Sequence, residues 1–148
     1  MAEVCLMDNE KTLTESTGDR QRTLVELARQ VRERAHAPFS GFKVGAAVEC
    51  DDGRVFTGCN VENSSYGLSL CAERVAVFKA ISEGYRDFRS IAVIADAYAP
   101  IRPCGACRQV LSDLFGSEAE VIMANLQGTI ETKKVRELLP IPFDRSFL

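Results

Sequence analysis

Three cysteines of this chain are spaced to hold a metal. Pro103-Cys104-Gly105-Ala106-Cys107 is a C-x-x-C at the start of a helical pattern, so its two sulfurs fall three residues apart on one helix face. The dipole at that helix end favours thiolate over thiol. By itself the pair is open to three readings: a redox dithiol, half of a structural zinc knuckle, or two small cysteines packed in a core. Cys71 supplies a third thiol, because it too opens a helical pattern, in CAERVAVFKA (71–80). Three thiols converging at two helix ends would leave a tetrahedral zinc with one open position for water.

Two neighbours of Cys71 gain a role from that arrangement. In mid-helix, residues i and i+2 point apart, but side chains of a first turn lean toward the N-terminus, so Cys71 and Glu73 could reach one site beyond the helix end. A carboxylate beside zinc-bound water, without ligating the metal, can take a proton from that water and hand it to a leaving group. Read alone, Glu73 is an ordinary acidic residue in a first helical turn. Arg74 lies i+3 from Cys71, on the same face. Three thiolates around Zn²⁺ sum to minus one, and a cation bonded to the sulfurs would offset that charge. The alternative for Arg74 is a solvent-facing arginine.

The elements that must position these groups follow from the pattern of apolar residues. Leu24, Leu27, Ala28, Val31 and Ala35 keep helical spacing from Arg20 up to Pro38. KVGAAVEC (43–50) and RVFTGCN (54–60) read as strands joined through Asp51-Asp52-Gly53, a hairpin signal. After a polar loop over 61–70, a helix over 71–82 turns Val75, Phe78 and Ala80 toward a core, with Gly84 as its C-terminal cap. SIAVIADA (90–97) reads as a fully buried strand, and 102–116 as a helix with Pro103 at its start and Gly116 at its end. EVIMAN and GTIET are two more strands turning at Gly128, and a short helix over 135–139 precedes a tail with Phe143 and Phe147. The order α-β-β-α-β-α-β-β-α predicts one mixed sheet covered by helices on both faces.

Composition narrows the partners. A chain of 148 residues is the size of one domain, with 1–19 expected as a flexible polar tail and 20–148 as the folded unit. A net charge of −3 and a pI near 5.3 argue against a polynucleotide partner, which needs clustered Lys and Arg. No window is apolar for the ~18 residues of a membrane span, and no export signal is evident, so the expected setting is cytoplasmic and reducing. There, six cysteines read as thiols or ligands before disulfides. A small or neutral substrate fits best.

C-A-E at 71–73 followed by P-C-G-A-C at 103–107 resembles the signature of the zinc nucleoside deaminases, which admits three cysteines. FSGFKVGAAV (39–48), GCNVENSSYG (58–67), CAERVAVFKAISEG (71–84), PCGACRQV (103–110) and ELLPIPF (137–143) are similar, in order and spacing, to the small homotetrameric cytidine deaminases. The likeness spans roughly residues 22–145. It implies a three-layer α-β-α sandwich with a mixed five-stranded sheet. It also implies one Zn²⁺ per chain on Cys71, Cys104 and Cys107, with Arg74 compensating their charge. Glu73 would move protons while zinc-bound hydroxide attacks C4 of cytosine, turning cytidine or 2′-deoxycytidine into uridine or 2′-deoxyuridine in pyrimidine salvage.

The resemblance assigns substrate contacts as well. Asn60 and Glu62 match a pair that hydrogen-bonds the sugar 3′-hydroxyl, and their i, i+2 spacing on an extended segment puts both side chains on one face. Without the family they read as turn residues at a strand end. Phe42 matches an aromatic packed on the pyrimidine, although an aromatic just before a strand also reads as core. Tyr66 and Phe143 match residues that a neighbouring subunit contributes to a shared site. His36, the one histidine, reads as a polar residue at a helix end, Cys50 and Cys59 as packed thiols, and Cys5 as chemically idle. The long polar N-terminus and the run SSYG depart from the family pattern. An alternative substrate is a modified cytosine nucleoside such as blasticidin S, against which the Asn60-x-Glu62 pair favours an ordinary sugar. A reading from another class, a structural zinc or redox module, needs a fourth protein ligand or a Cys104–Cys107 disulfide, and leaves Glu73 without a role.

Overall fold

A computed structural model describes residues 16–148. Residues 1–15 of the expected tail, with Cys5, lie outside the described residues. The rest of that segment is not tail: Thr17, Gly18 and Asp19 form the first turn of helix α1 (Thr17–Arg32). Ser16 caps the helix by accepting from the Asp19 N–H at 3.3 Å, which satisfies a donor that has no partner within the first turn. The helix also stops at Arg32 instead of running on toward Pro38. Beyond Arg32 the chain turns, and His36 bonds across to another segment, its N–H donating to Asn60 O at 3.0 Å and its C=O accepting from Glu62 N at 2.8 Å. His36 is therefore a bridge residue and not a helix end.

The five strands are β1 (Val44–Cys50), β2 (Val55–Cys59), β3 (Phe88–Ala95), β4 (Glu120–Asn125) and β5 (Ile130–Lys134). They lie in the order β2-β1-β3-β4-β5. Only β3 and β4 run parallel, and helix α3 (Gly105–Leu114) makes the crossover between them. The other neighbours are antiparallel. β3 and β5 each sit two residues from their expected frames. The β4–β5 hairpin turns on Gly128 with φ 93°, a left-handed conformation that glycine adopts without steric cost.

Alternation along the strands builds two cores. Ala46, Val48, Ile91, Val93, Val121 and Met123 face helices α2 (Ala72–Ser82), α3 and α4 (Val135–Leu138). Ala47, Ala92, Ile94, Ile122 and Ala124 face α1. This is the α-β-α sandwich with a mixed five-stranded sheet. Glu49, only 3% exposed, points to the α1 side, where it lies 3.5 Å from both Arg20 Nε and Arg89 and accepts from Ser90 Oγ at 3.1 Å. Among the described residues no helix is long and apolar enough to cross a membrane.

Helix α2 lies unusually close to the sheet. Its inward face is Ala72, Ala76, Val77 and Ala80, whereas Phe78, expected inward, is 43% exposed. Small residues win the core positions because the helix rests on Gly58 of β2. A Cβ there would stand 2.4 Å from Ala76 N and 2.8 Å from Ala72 O, both backbone atoms that cannot swing aside. Gly58→Ala should therefore push the first turns of α2 off the sheet and destabilise the fold by about 1–3 kcal/mol, as overpacking does. The denaturant midpoint measures this, and a wild-type midpoint would contradict the close seating.

Candidate active site

Strand direction brings the chemistry to one edge of the sheet. Val44 at the start of β1 pairs with Ala95 at the end of β3, Ala95 with Asn125 at the end of β4, and Gly45 with Cys59 at the end of β2. Beyond that edge the chain enters α2 and α3 by their N-termini. In open α/β sheets the carboxyl ends of strands are where ligands bind.

Both helix entrances are occupied by cysteine. Cys71 is the N-cap of α2 and Cys104 the N-cap of α3, each with extended backbone and no cap hydrogen bond from its side chain. The thiols are thus left free at the positive ends of two helices. Cys107 sits in the first turn of α3 and is fully buried. The three sulfurs lie within 4.8 Å of one another, with Cys71 Sγ 3.7 Å from Cys104 Sγ. Tetrahedral zinc with bonds of ~2.3 Å separates its sulfurs by about 3.8 Å, so the donor set fits that metal. All five cysteines among the described residues are free thiols, which removes the Cys104–Cys107 disulfide. No fourth His, Cys, Asp or Glu among the described residues joins the cluster.

The surroundings of the sulfurs set their charge. Arg74 donates to Cys71 Sγ at 3.4 Å, and the same nitrogen reaches Ser69 O at 3.5 Å. The Cys71 thiol is drawn down to about 5, chiefly by a hydrogen bond from Cys107 and further by Arg74, while Cys107, as the donor, is pushed up. Glu73, in the first turn of α2, is 5% exposed, and burial raises its carboxyl to about 7. That value suits a group that takes and returns protons near neutral pH.

An open cleft of about 300 Å³ is lined by Phe39, Ser40, Glu62, Asn63, Tyr66 and Ser69. Two of the five sequence-predicted substrate contacts, Glu62 and Tyr66, are in its wall. Tyr66, 79% exposed, meets Phe39 edge to face with centroids 6.4 Å apart. Asn60 is not in that wall; its amide bonds the backbone, Oδ1 accepting from Val44 N at 2.8 Å and Nδ2 donating to Phe42 O at 2.8 Å. Phe42 is 42% exposed, so it is not a core residue. Phe143 is set apart on the C-terminal tail, 60% exposed and stacked on Phe147 at 5.5 Å, outside both cores.

Sequence reasoning missed two serines. Ser69 Oγ accepts from Asn63 N at 3.0 Å while its carbonyl meets Arg74, which joins the cleft wall to the Cys71 thiol. Ser40 Oγ donates to Glu62 and accepts from Phe42 N at 3.0 Å. Nothing in the pattern distinguished either from the loop serines around them, because their roles depend on contacts between distant segments.

A mixed sheet whose strand ends meet three convergent thiols and a buried acid is the arrangement that a zinc-dependent hydrolase requires. Residues 19–124 match the model of the cytidine and deoxycytidylate deaminase zinc-binding region. A cytidine deaminase of Halalkalibacterium halodurans is 54% identical over 125 residues, which cover 84% of this chain and 94% of that protein. The crystal structure of the cytidine deaminase from Burkholderia pseudomallei superposes with a TM-score of 0.81 at 51% identity, over 82% of this chain and 98% of the other. A blasticidin-S deaminase of Bacillus cereus is more distant, 27% identical over 111 residues, 70% of this chain and 78% of that protein. The chain belongs to the cytidine and deoxycytidylate deaminase family, and its metal is zinc.

Glu62 links this geometry to pH. Its carboxylate accepts from Ser40 Oγ, from Phe39 N at 2.8 Å and from Ser40 N at 3.2 Å, and the serine hydroxyl is the main reason its pKa lies below the ordinary 4.5. A depressed carboxyl pKa contributes stability that is full above the unfolded value and lost as pH falls through the folded one. The hold on the 39–40 loop should therefore survive below pH 4.5 and fail only as Glu62 protonates. In Ser40→Ala the failure should move up toward 4.5. The amide resonances of Phe39 and of the residue that follows it report the transition across an acid titration of both proteins. Identical midpoints in the two would contradict the assignment.

Proposed function

We propose that this protein catalyses hydrolytic deamination of cytidine and 2′-deoxycytidine to uridine and 2′-deoxyuridine, a step of pyrimidine salvage in the cytoplasm. The observation that carries the reading is the cluster of three sulfurs within 4.8 Å, with the buried carboxyl of Glu73 near enough to feel Cys71 and Cys107. Cys71, Cys104 and Cys107 would hold zinc, which would supply Lewis-acid activation of the attacking water. Glu73 would take a proton from that water as its oxygen bonds to C4 of the pyrimidine, and return one to the departing amine. Water and nucleoside thus become ammonia and the uracil product. Arg74 balances thiolate charge through its bond to Cys71 Sγ.

The remaining residues bind and orient. Glu62 has three donors from the 39–40 loop and keeps lone-pair capacity for a sugar hydroxyl. Asn60 has one further donor and one further acceptor to offer on the same side. Phe42 packs on the pyrimidine. Tyr66 and Phe143 serve a site shared between subunits of a homotetramer. The support for sharing is that Phe39, Tyr66, Leu68, Ile141, Phe143 and Phe147 are each at least 55% exposed in the single chain. Association also supplies the wall that shields the reacting ring from bulk water.

Glu73→Gln should keep zinc and fold while losing at least the roughly 10²- to 10⁴-fold owed to a general acid-base group. Loss of cytidine absorbance over time measures it, and near-normal turnover would remove Glu73 from the reaction. For the shared site, Phe143→Ala should raise KM for cytidine by up to about tenfold, the loss of an aromatic contact worth about 0.5–1.5 kcal/mol. Its stability should change far less than the ~3–5 kcal/mol of a core Phe deletion. An unchanged KM, or an active monomer in sedimentation, would refute sharing.

A further inference from the structure

Arg108 donates hydrogen bonds to three carbonyls in different directions. Its backbone N–H donates to Cys104 O at 2.9 Å, which closes the first turn of α3. Its guanidinium Nε donates to Pro103 O at 2.9 Å, and NH1 of the same fork donates to Leu138 O at 3.0 Å. Pro103 is fully buried and immediately precedes a metal-ligating residue. Its carbonyl belongs to the peptide plane that sets the direction of Cys104. Leu138 is the last residue of α4, and its carbonyl is one of those a helix end leaves unpaired. Past it runs the tail to Phe143, whose own carbonyl accepts from Gln109 Nε2 at 2.7 Å.

The chemistry of arginine suits this junction. A planar guanidinium carries donors fixed at an angle, so it can satisfy two carbonyls from different segments at once and thereby fix their spacing. Lysine has three N–H donors that rotate on one nitrogen at the end of a flexible stem, so it fixes the spacing of two carbonyls less firmly. Neither carbonyl belongs to a regular ladder that would otherwise hold it.

We propose that Arg108 is a positioning residue for the deamination reaction. It locks the Pro103–Cys104 segment, which presents one metal-ligating thiol, to the start of the tail that carries Phe143. The proposal rests on the zinc deaminase reading of the site. Gln109 serves only the tail end of the junction, and that difference separates the two effects.

The test compares purified Arg108→Ala, Arg108→Lys and Gln109→Ala with the wild-type enzyme. Transfer of zinc to a colorimetric chelator is followed with no substrate present, and kcat and KM for cytidine are measured separately. Arg108→Ala should release zinc about 10- to 100-fold faster, the usual effect of removing a group that orients a metal ligand, and should also raise KM. Arg108→Lys should fall between Arg108→Ala and wild type. Gln109→Ala should raise KM while releasing zinc at the wild-type rate. Zinc release at the wild-type rate in Arg108→Ala would overturn the proposal, and if that variant does not fold, a wild-type rate in Arg108→Lys would do the same. Wild-type protein purified without zinc would instead defeat the deaminase reading itself.

Discussion

Three thiolates gathered within 4.8 Å of one another repel, so positive groups around them, beside the metal they would hold, are needed to steady their charge. Here two helix N-termini and one guanidinium do so, and most of the architecture serves to bring them together. The parallel β3–α3–β4 crossover aims the N-terminus of α3 at the sheet edge. The β1–β2 hairpin and Gly58 let α2 sit close enough on the same face for its own N-terminus to arrive beside it. A cysteine at an N-cap gives up the usual side-chain capping bond, a loss of about 1 kcal/mol in helix stability compared with serine or aspartate. That sacrifice at both helices is consistent with side chains reserved for a metal.

The same placement explains Glu73. A carboxyl in the first turn of α2 would ordinarily be exposed and welcome at the helix N-terminus. Because α2 is pressed onto β2 and faces α3, this one is buried, and burial lifts it to about 7. One packing constraint therefore brings the three thiols and a buried acid to the same place. The cleft is organised by a separate device, the pair Ser40 and Glu62, which fixes the loop holding Phe39 and Phe42 before any substrate arrives.

Much of this was legible in the sequence because it is local. The Cys71, Glu73, Cys104 and Cys107 spacings, the glycine turns and the alternation of β1, β3 and β4 each rest on neighbours within a few residues. What escaped depends on distant partners. Helix α1 starts three residues before the expected Arg20 because Ser16 caps it, and ends early because His36 bonds to the 60–62 segment. Phe78 was expected inward, yet Gly58 demands alanines on the packed face of α2. Glu49, a lone acid in an apolar strand pattern, is buried against Arg20 and Arg89, which come from two other elements.

X-ray absorption at the zinc edge of the purified protein tests the central claim most directly. The three thiols, with no fourth protein ligand among the described residues, predict three sulfurs at about 2.3 Å and one lighter atom at about 2.0 Å. A shell of four sulfurs, or one without sulfur, would contradict the account.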